Sequence, residues 1–414
     1  MHDILPEDQV YFKKIYDTVS SIAEFYDFGK IDTPMLEDAE LFSKGVGTST
    51  DIVKKEMYTL RTKGGDVLAL RPEMTAPIAR AYVENGMHNR PQPLRLWYFG
   101  PCFRHESQQA GRYRQFWQAG FEIMGEKSAV VDAQIIQIFC NILDELKIKN
   151  TTLELNSIGD GQCRGYYKKV LAKYFRSKES SLCADCRRRT KENVLRVLDC
   201  KNEKCGDLKG EAPQILNYLC GECKTHFKDV LEFLDELEIP YSLNSSLVRG
   251  LDYYTKTVFE ITSGESKNLS LAGGGRYDPL VKMLGGKDTY ACGGALGVER
   301  IIELMKKQKI SPSKEKEIAV FIAQLGTLAR RKGLKILEDL RRARIKTGES
   351  FGKDSLRSQL SRADRLSAKY SIIIGQKEAL EGLAMIRDMK TGRQDQVKFE
   401  KVVEELKKRL KKDK

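Results

Sequence analysis

From Arg112 to Ile123 the chain alternates with a period of two. The even positions hold Arg112, Arg114, Phe116, Gln118, Gly120 and Glu122, and the odd ones Tyr113, Gln115, Trp117, Ala119, Phe121 and Ile123. Successive side chains of a strand point to opposite faces, so the odd set reads as core-facing. The even set then forms a floor of guanidiniums, an aromatic ring, an amide and a carboxylate, with a glycine leaving space among them. The preceding run, Leu94 to Glu106, places Arg104 and Glu106 on one parity, and residues 107–111 supply a polar turn. The stretch is expected to be a hairpin whose cations can hold phosphate and whose anions can hold an amine. An ordinary half-exposed hairpin would explain the alternation. It would not explain so many unlike, costly polar groups beside Phe116 and Gly120.

At 414 residues the chain exceeds one typical core and is expected to form two or three domains. A hydrophobic content of 41% suits a soluble globular enzyme. No apolar run approaches the ~20 residues needed to cross a bilayer. The N-terminal MHDILPEDQVYFKK lacks the charged lead and apolar stretch of a secretory signal, so the cytoplasm is the expected location. The net charge of +13 favours a polyanionic partner such as nucleic acid, against the plainer reading of solvated lysines.

Of ten cysteines, Cys102, Cys140, Cys163 and Cys292 are scattered and read as buried thiols. The rest form CADC at 183–186, CKNEKC at 200–205 and CGEC at 220–223. Two CxxC pairs about 35 residues apart can close a tetrahedral thiolate site, making Cys183, Cys186, Cys220 and Cys223 candidate ligands of a structural zinc. Free thiols are the alternative. A disulfide framework fits poorly in a chain without an export signal.

Residues 6–26 show helical spacing, with Tyr11, Ile15, Val19 and Ile22 on one stripe. FGKIDTPMLED reads as a short strand entering Pro34, which belongs at an edge or interface because proline cannot donate to a ladder. LALRPEMTAPIARAYVEN (68–85) reads as a strand to Arg71 and then a helix. Glu73 and Thr75 sit at that junction, facing a pocket or serving the helix N-terminus. A helix, SAVVDAQIIQIFCNILDELKI, and a strand, TLELNSIG, follow the hairpin. Residues 160–235, rich in Lys, Arg and Cys, read as an inserted helical module. SSLVRGLDYYTKTVFEI (245–261) is a loop leading into a strand, and LAGGGRYD (271–278) has glycines that admit a ligand close to the backbone. CGGALGVERIIELM (292–305) reads as a glycine turn opening a helix. Beyond a polar linker, SPSKEKE (311–317), strands and helices alternate, which implies a small α/β domain with a mainly parallel sheet.

Taken together these segments resemble the class II aminoacyl-tRNA synthetases, and among them the histidyl-tRNA synthetases. GKIDTPMLE is similar to motif 1, FRHESQQAGRYRQFWQAGFEIMG to motif 2 and GALGVERIIEL to motif 3. LVRGLDYYTKTVFEI and GGGRYD resemble the two histidine-recognition signatures of that one family, and LRPEMTAPIAR its amino-acid loop. The resemblance covers nearly the whole chain. It implies an α+β fold: an antiparallel class II catalytic domain over 1–316 with the helical, Cys-containing insertion at about 160–235. A C-terminal α/β anticodon-binding domain would span 317–414. It also implies a homodimer joined near motif 1, tRNA(His) as partner, and ATP with Mg2+ as substrate.

The same resemblance assigns roles. Arg104 grips the α-phosphate and carboxylate, Arg300 the γ-phosphate, and Arg249 acts as the family's distinctive catalytic arginine. A planar, permanently charged fork suits that work. Phe116 stacks on adenine, with Arg112 toward the phosphates and Glu106 toward the adenine edge. Glu122 and Tyr254 read the two imidazole nitrogens. Glu73, Thr75 and Gln118 hold the α-amino group, and Tyr253 and Tyr277 line the pocket. Three features depart from the family pattern: a short lead before Asp3, which suggests a truncated N-terminal edge, Met74 where a small or polar residue is usual, and Trp117 where histidine is common. Two other readings compete. One is a catalytically silent, histidine-sensing regulatory paralogue of ATP phosphoribosyltransferase, a type that usually lacks the C-terminal domain and loses the ATP-binding arginines. The other is an RNA-binding module built on a zinc-ribbon insertion.

Overall fold

The computed structural model describes all residues except 1, 49, 107–110, 201, 265–269, 313–317, 353–354 and 413–414. The chain divides into two compact units, Met1–Pro312 and Ser313–Lys414. The division falls inside the linker stretch, four residues before the boundary expected at 316; most of that stretch lies outside the described residues.

The first unit is organised on an eight-stranded sheet. In spatial order its strands are Gly29–Lys30, Leu94–Phe103, Gln115–Met124, Ala291–Gly297, Ser270–Arg276, Thr255–Ser263, Thr151–Ser157 and Ser242–Leu243. Every pairing among the six central strands is antiparallel, and only the two end strands join in parallel. The Gly29–Lys30 strand is therefore an edge, and the chain reaches Pro34 just beyond it. Leu36–Asp38 joins a separate three-stranded sheet with Val67–Leu70 and Thr59–Arg61.

The hairpin alternates as expected. Ala119, Phe121 and Ile123 are buried, together with Ile15, Val19 and Ile22 of helix Pro6–Phe25 and with Ile135 and Phe139 of helix Val130–Glu145. Ile301 and Met305 of helix Val298–Lys307 join the same core. Burying such side chains is worth about 1.5–3 kcal/mol each, which fixes which face of the hairpin is left for chemistry. The turn expected at 107–111 lies, apart from Gly111, outside the described residues. The region expected to be a helical insertion is helical: it begins with Gly161–Ser177, ends with Gly221–Glu236 and has only short helices between.

Two local readings change. CGGALG is no turn: Ala291–Gly297 is a central strand, hydrogen-bonded on one side to Gln115–Met124 and on the other to Ser270–Arg276. Glycine disfavours strands intrinsically, but pairing on both sides supplies what propensity lacks. In the second unit the sheet is mixed. Val320–Gln324 pairs in parallel with Thr347–Glu349 and Tyr370–Ile374, whereas Leu383–Asp388 and Gln394–Lys398 add antiparallel strands. A short hairpin connection at 389–393 replaces the helical crossover that a parallel neighbour needs. The helices there are Thr327–Arg342, Leu356–Arg365, Gln376–Glu381 and Val402–Lys412.

Candidate active site

The polar face of the central strands forms the floor of a pocket. Phe116 and Gln118 reach it from the hairpin, and Arg104, Glu106 and Arg112 from the residues that flank it. Ala272 and Gly273 come from one glycine-rich strand, and Gly294 and Ala295 from the other. Glu73 and Thr75, at the start of helix Thr75–Glu84, form one wall; Arg249, Tyr253 and Tyr254 form another, and Arg300 projects from the start of helix Val298–Lys307.

At two positions a side chain on the floor would be incompatible with the site. A Cβ on Gly273 would lie 2.6 Å from Arg249 Nη1, so only a bare backbone lets the guanidinium lie against that strand. A Cβ on Gly293 would lie 1.6 Å from Glu122 Oε2, which the register places directly opposite. The glycines are thus the space in which two of the candidate groups sit.

At one end of the pocket the groups are neutral or anionic. Glu73 accepts from the backbone N–H groups of Thr75 and Ala76, both at 2.8 Å, and from the Tyr253 hydroxyl at 3.3 Å. It therefore serves the helix N-terminus and faces the pocket at once. Burial pushes its carboxyl up despite those donors. Glu122 lies fully buried. Its Oε1 accepts from the Thr75 hydroxyl at 2.8 Å and its Oε2 from the Tyr277 hydroxyl at 2.6 Å. Burial outweighs those donors, and with Glu73 nearby the Glu122 carboxyl is pushed up to about 8. Glu122 and Tyr277 sit beneath the open pocket, while Thr75 and Tyr254 line it. Gln118 Oε1 accepts from the Cys102 thiol at 3.3 Å.

The other end is cationic. Arg104 donates from Nε to the Pro72 carbonyl at 2.9 Å, and its guanidinium stands 5.2 Å from the Phe116 ring centre. Arg300 donates to the carbonyls of Gly111 at 3.0 Å and Ser270 at 2.7 Å. Arg112 lies 3.3 Å from Glu106. Burial and the neighbouring Arg104 lower the affinity of Arg300 for its proton, a sign of positive charge crowded together. Arg249 contacts Glu260 at 3.8 Å, and its guanidinium is 5.7 Å from the Tyr254 ring centre. Its Nε and that of Arg112 are buried with no hydrogen-bond partner among the described residues. Donors left unpaired in a crowded cationic pocket are what a bound polyanion would satisfy.

Each expected amino-acid and nucleotide residue therefore falls in or directly under one pocket. Two further groups line it, and a third backs Arg249 from outside it. Tyr98, fully buried, pairs across the hairpin with Gly120 and lines the pocket. Glu299 accepts the Trp117 backbone N–H at 2.9 Å, and burial lifts its carboxyl to about 7. Glu260 partners Arg249. The signals were slight: Glu299 adjoins Arg300, and Tyr98 is hidden in an apolar run.

The expected zinc site does not form from the two CxxC pairs. Cys183 and Cys186 gather with Cys200 and Cys205, whereas Cys220 and Cys223 gather with Asp160 and Cys163. Cys183 and Cys186 open helix Ala184–Glu192 and meet Cys200 and Cys205 from the short helices that follow it, whereas Cys220 and Cys223 open helix Gly221–Glu236 and meet Asp160 and Cys163 at the start of helix Gly161–Ser177.

Residues 1–301 match the family model described as histidyl-tRNA synthetase, and residues 319–409 the anticodon binding domain. A histidine–tRNA ligase of Dehalococcoides mccartyi is 43% identical, covering 99% of this chain and 98% of its own. That of Caldicellulosiruptor saccharolyticus is 41% identical with the same coverage. The crystal structure of apo Staphylococcus aureus histidyl-tRNA synthetase superposes with a TM-score of 0.81 at 33% identity, covering 98% of each chain. With the pocket and these matches in hand, the chain belongs to the histidyl-tRNA synthetase family.

Proposed function

We propose that the chain is a histidine–tRNA ligase that works in two steps. A carboxylate oxygen of L-histidine attacks the α-phosphorus of ATP, forming histidyl-adenylate and releasing pyrophosphate. The terminal ribose hydroxyl of tRNA(His) then attacks the acyl carbon, and AMP leaves. The observation that carries this reading is the division of one pocket into an amino-acid end around Glu73, Thr75 and Tyr254 and a polyanion end around Arg104, Arg112 and Arg300.

In the first step negative charge builds around the α-phosphorus, and fixed cations stabilise it without reorganising. Arg249 supplies such a cation, held flat by Gly273, and Arg104 grips the α-phosphate and the attacking carboxylate. Arg300 takes the γ-phosphate, with Arg112 beside it. Phe116 offers a face to adenine and Glu106 an acceptor to its amino edge. ATP enters as its magnesium complex, and Glu106 and Glu299 are the lining carboxylates nearest the arginine cluster that can share in holding the ion. Glu73, Thr75 and Gln118 receive the α-amino group, and Tyr254 and the underlying Glu122 meet the imidazole nitrogens. Tyr253 and Tyr277 close the walls. An amino acid without a donor–acceptor ring would bring a side chain that cannot meet those buried polar groups, and so be rejected.

The match of residues 319–409 to an anticodon binding domain supports tRNA as the second substrate. A homodimer is supported by the edge beside Pro34, where Met35 and Leu36 are half exposed and Leu60 and Val67 of the same small sheet are exposed too. No helix among the described residues is long and apolar enough to cross a membrane, and cytoplasmic action accords with the substrates. The regulatory reading is disfavoured because the C-terminal unit is present and Arg104, Arg249 and Arg300 share one pocket. Charging assays with labelled histidine and unfractionated tRNA provide the test. Esterified histidine confined to tRNA(His) is expected; histidine that binds yet is never esterified would overturn the proposal.

A further inference from the structure

The cysteines that the synthetase reaction does not use gather at two points of the insertion. Cys183 precedes helix Ala184–Glu192, Cys186 lies in its first turn, Cys200 follows the short helix Leu195–Leu198, and Cys205 closes the turn Glu203–Cys205. Their four sulfurs lie within 4.8 Å of one another, and Cys183 and Cys200 Sγ are 3.8 Å apart. Zinc–sulfur bonds of about 2.3 Å at tetrahedral angles separate sulfurs by about 3.8 Å, whereas a disulfide brings them to about 2.05 Å. All four cysteines are free. Backbone N–H groups already point at two of the sulfurs: that of Cys183 at Cys205 Sγ, and that of Asn202 at Cys200 Sγ, both at 3.4 Å. Such donors offset the charge of a thiolate.

The second cluster repeats one device twice. In DGQC (160–163) and CGEC (220–223) a residue at a helix N-cap is followed three positions on by a cysteine. Asp160 Oδ1 accepts the Cys163 N–H at 2.8 Å, and Cys220 Sγ accepts that of Cys223 at 3.5 Å. The two turns face each other: the Cys220 N–H donates to Cys163 Sγ at 3.1 Å, and Asp160 Oδ2 lies 3.7 Å from Cys220 Sγ. Two helix N-termini thus aim their positive ends at three sulfurs and a carboxylate.

We propose that the insertion binds two zinc ions, one on Cys183, Cys186, Cys200 and Cys205 and one on Asp160, Cys163, Cys220 and Cys223. Soft thiolates select zinc over calcium or magnesium, and four protein ligands leave no open position, so both ions are structural. The helices between residues 184 and 210 run from three to nine residues, too short to persist alone. The tetrathiolate site ties them together. The second site joins the first helix of the insertion to its last and so closes its base. The placement also has a consequence for the cleft: Cys183 and Cys200 line a cavity together with Arg104, Arg112 and Arg300. The tetrathiolate site therefore fixes a wall beside the nucleotide end of the active site.

The test is metal analysis of the full chain, purified under reducing conditions without chelator. Two zinc ions per chain are expected, falling to one in Cys200→Ser, to one in Cys220→Ser, and staying at two in Cys140→Ser. Cobalt(II) exchanged into the unaltered chain provides a readout that needs no variant. Thiolate-to-cobalt charge-transfer absorption with the strong visible bands of tetrahedral cobalt is expected, at an intensity matching seven thiolates over two ions. Zinc-free protein whose thiols are all reduced overturns the proposal, as do disulfides within either cluster. A single ion lost in Cys200→Ser and kept in Cys220→Ser overturns the second site alone.

Discussion

Arg249 owes its place to a missing side chain. Its guanidinium occupies the space that a Cβ on Gly273 would fill, and Glu260 and Tyr254 flank it. Arg249→Ala should lower the rate of histidyl-adenylate formation about 10²- to 10³-fold, the usual effect of losing one transition-state donor, while ATP affinity changes little. Rapid-quench kinetics beside equilibrium ATP binding checks this; near-normal activation would remove Arg249 from the chemistry. Gly273→Ala should act in the same direction by displacing the guanidinium, with about a tenfold loss. Glu122 makes a pH prediction. Its carboxyl is raised from 4.5 to about 8, so the fold favours the protonated form. That stability is complete below about pH 4.5 and is lost as pH rises toward 8, at about 1 kcal/mol per pH unit. Glu122→Gln should flatten the fall in Tm between pH 5 and 8, and an unchanged pH profile would contradict the shift.

Among the elements, the hairpin was the most legible, because period-two alternation and a buried face carry the same information. Phe116, Gln118 and Glu122 fell on the side that the alternation assigned them. The glycine strands were not legible: Gly293 and Gly294 have no side chains to alternate, and only pairing with distant strands makes Ala291–Gly297 a strand. The cysteine grouping was hidden for a related reason, since chain spacing does not say which helix ends meet. Arg276, in the GGGRYD signature, shows that a polar residue beside the site need not act in it. It is fully buried, donates from Nε to Asp132 Oδ2 at 3.1 Å and from Nη2 to the Ser128 carbonyl at 2.9 Å, and so anchors helix Val130–Glu145 to the sheet. Arg276→Met leaves the buried Asp132 carboxylate with only His226 beside it, 3.5 Å away, and should cost about 3–5 kcal/mol of stability, measured by denaturant unfolding. A change below about 1 kcal/mol would contradict the anchoring role.

Across the whole molecule, the units Met1–Pro312 and Ser313–Lys414 have separate hydrophobic cores, one set around Phe121 and Phe139 and the other around Ile322 and Ile372. A chain ending at Pro312 should therefore keep histidine activation while losing at least tenfold in kcat/KM for tRNA(His), as aminoacylation kinetics would show. Equal losses in both steps would contradict that division of labour. The net charge of +13 sets a further expectation: tRNA binding should weaken steeply with salt, whereas histidine binding should not. The central claim is that one pocket joins histidine to the α-phosphorus of ATP, and pyrophosphate exchange into ATP tests it most directly, with each amino acid supplied in turn and no tRNA. Exchange with histidine alone is the predicted result. Exchange with another amino acid, or none while histidine still binds, would contradict the account.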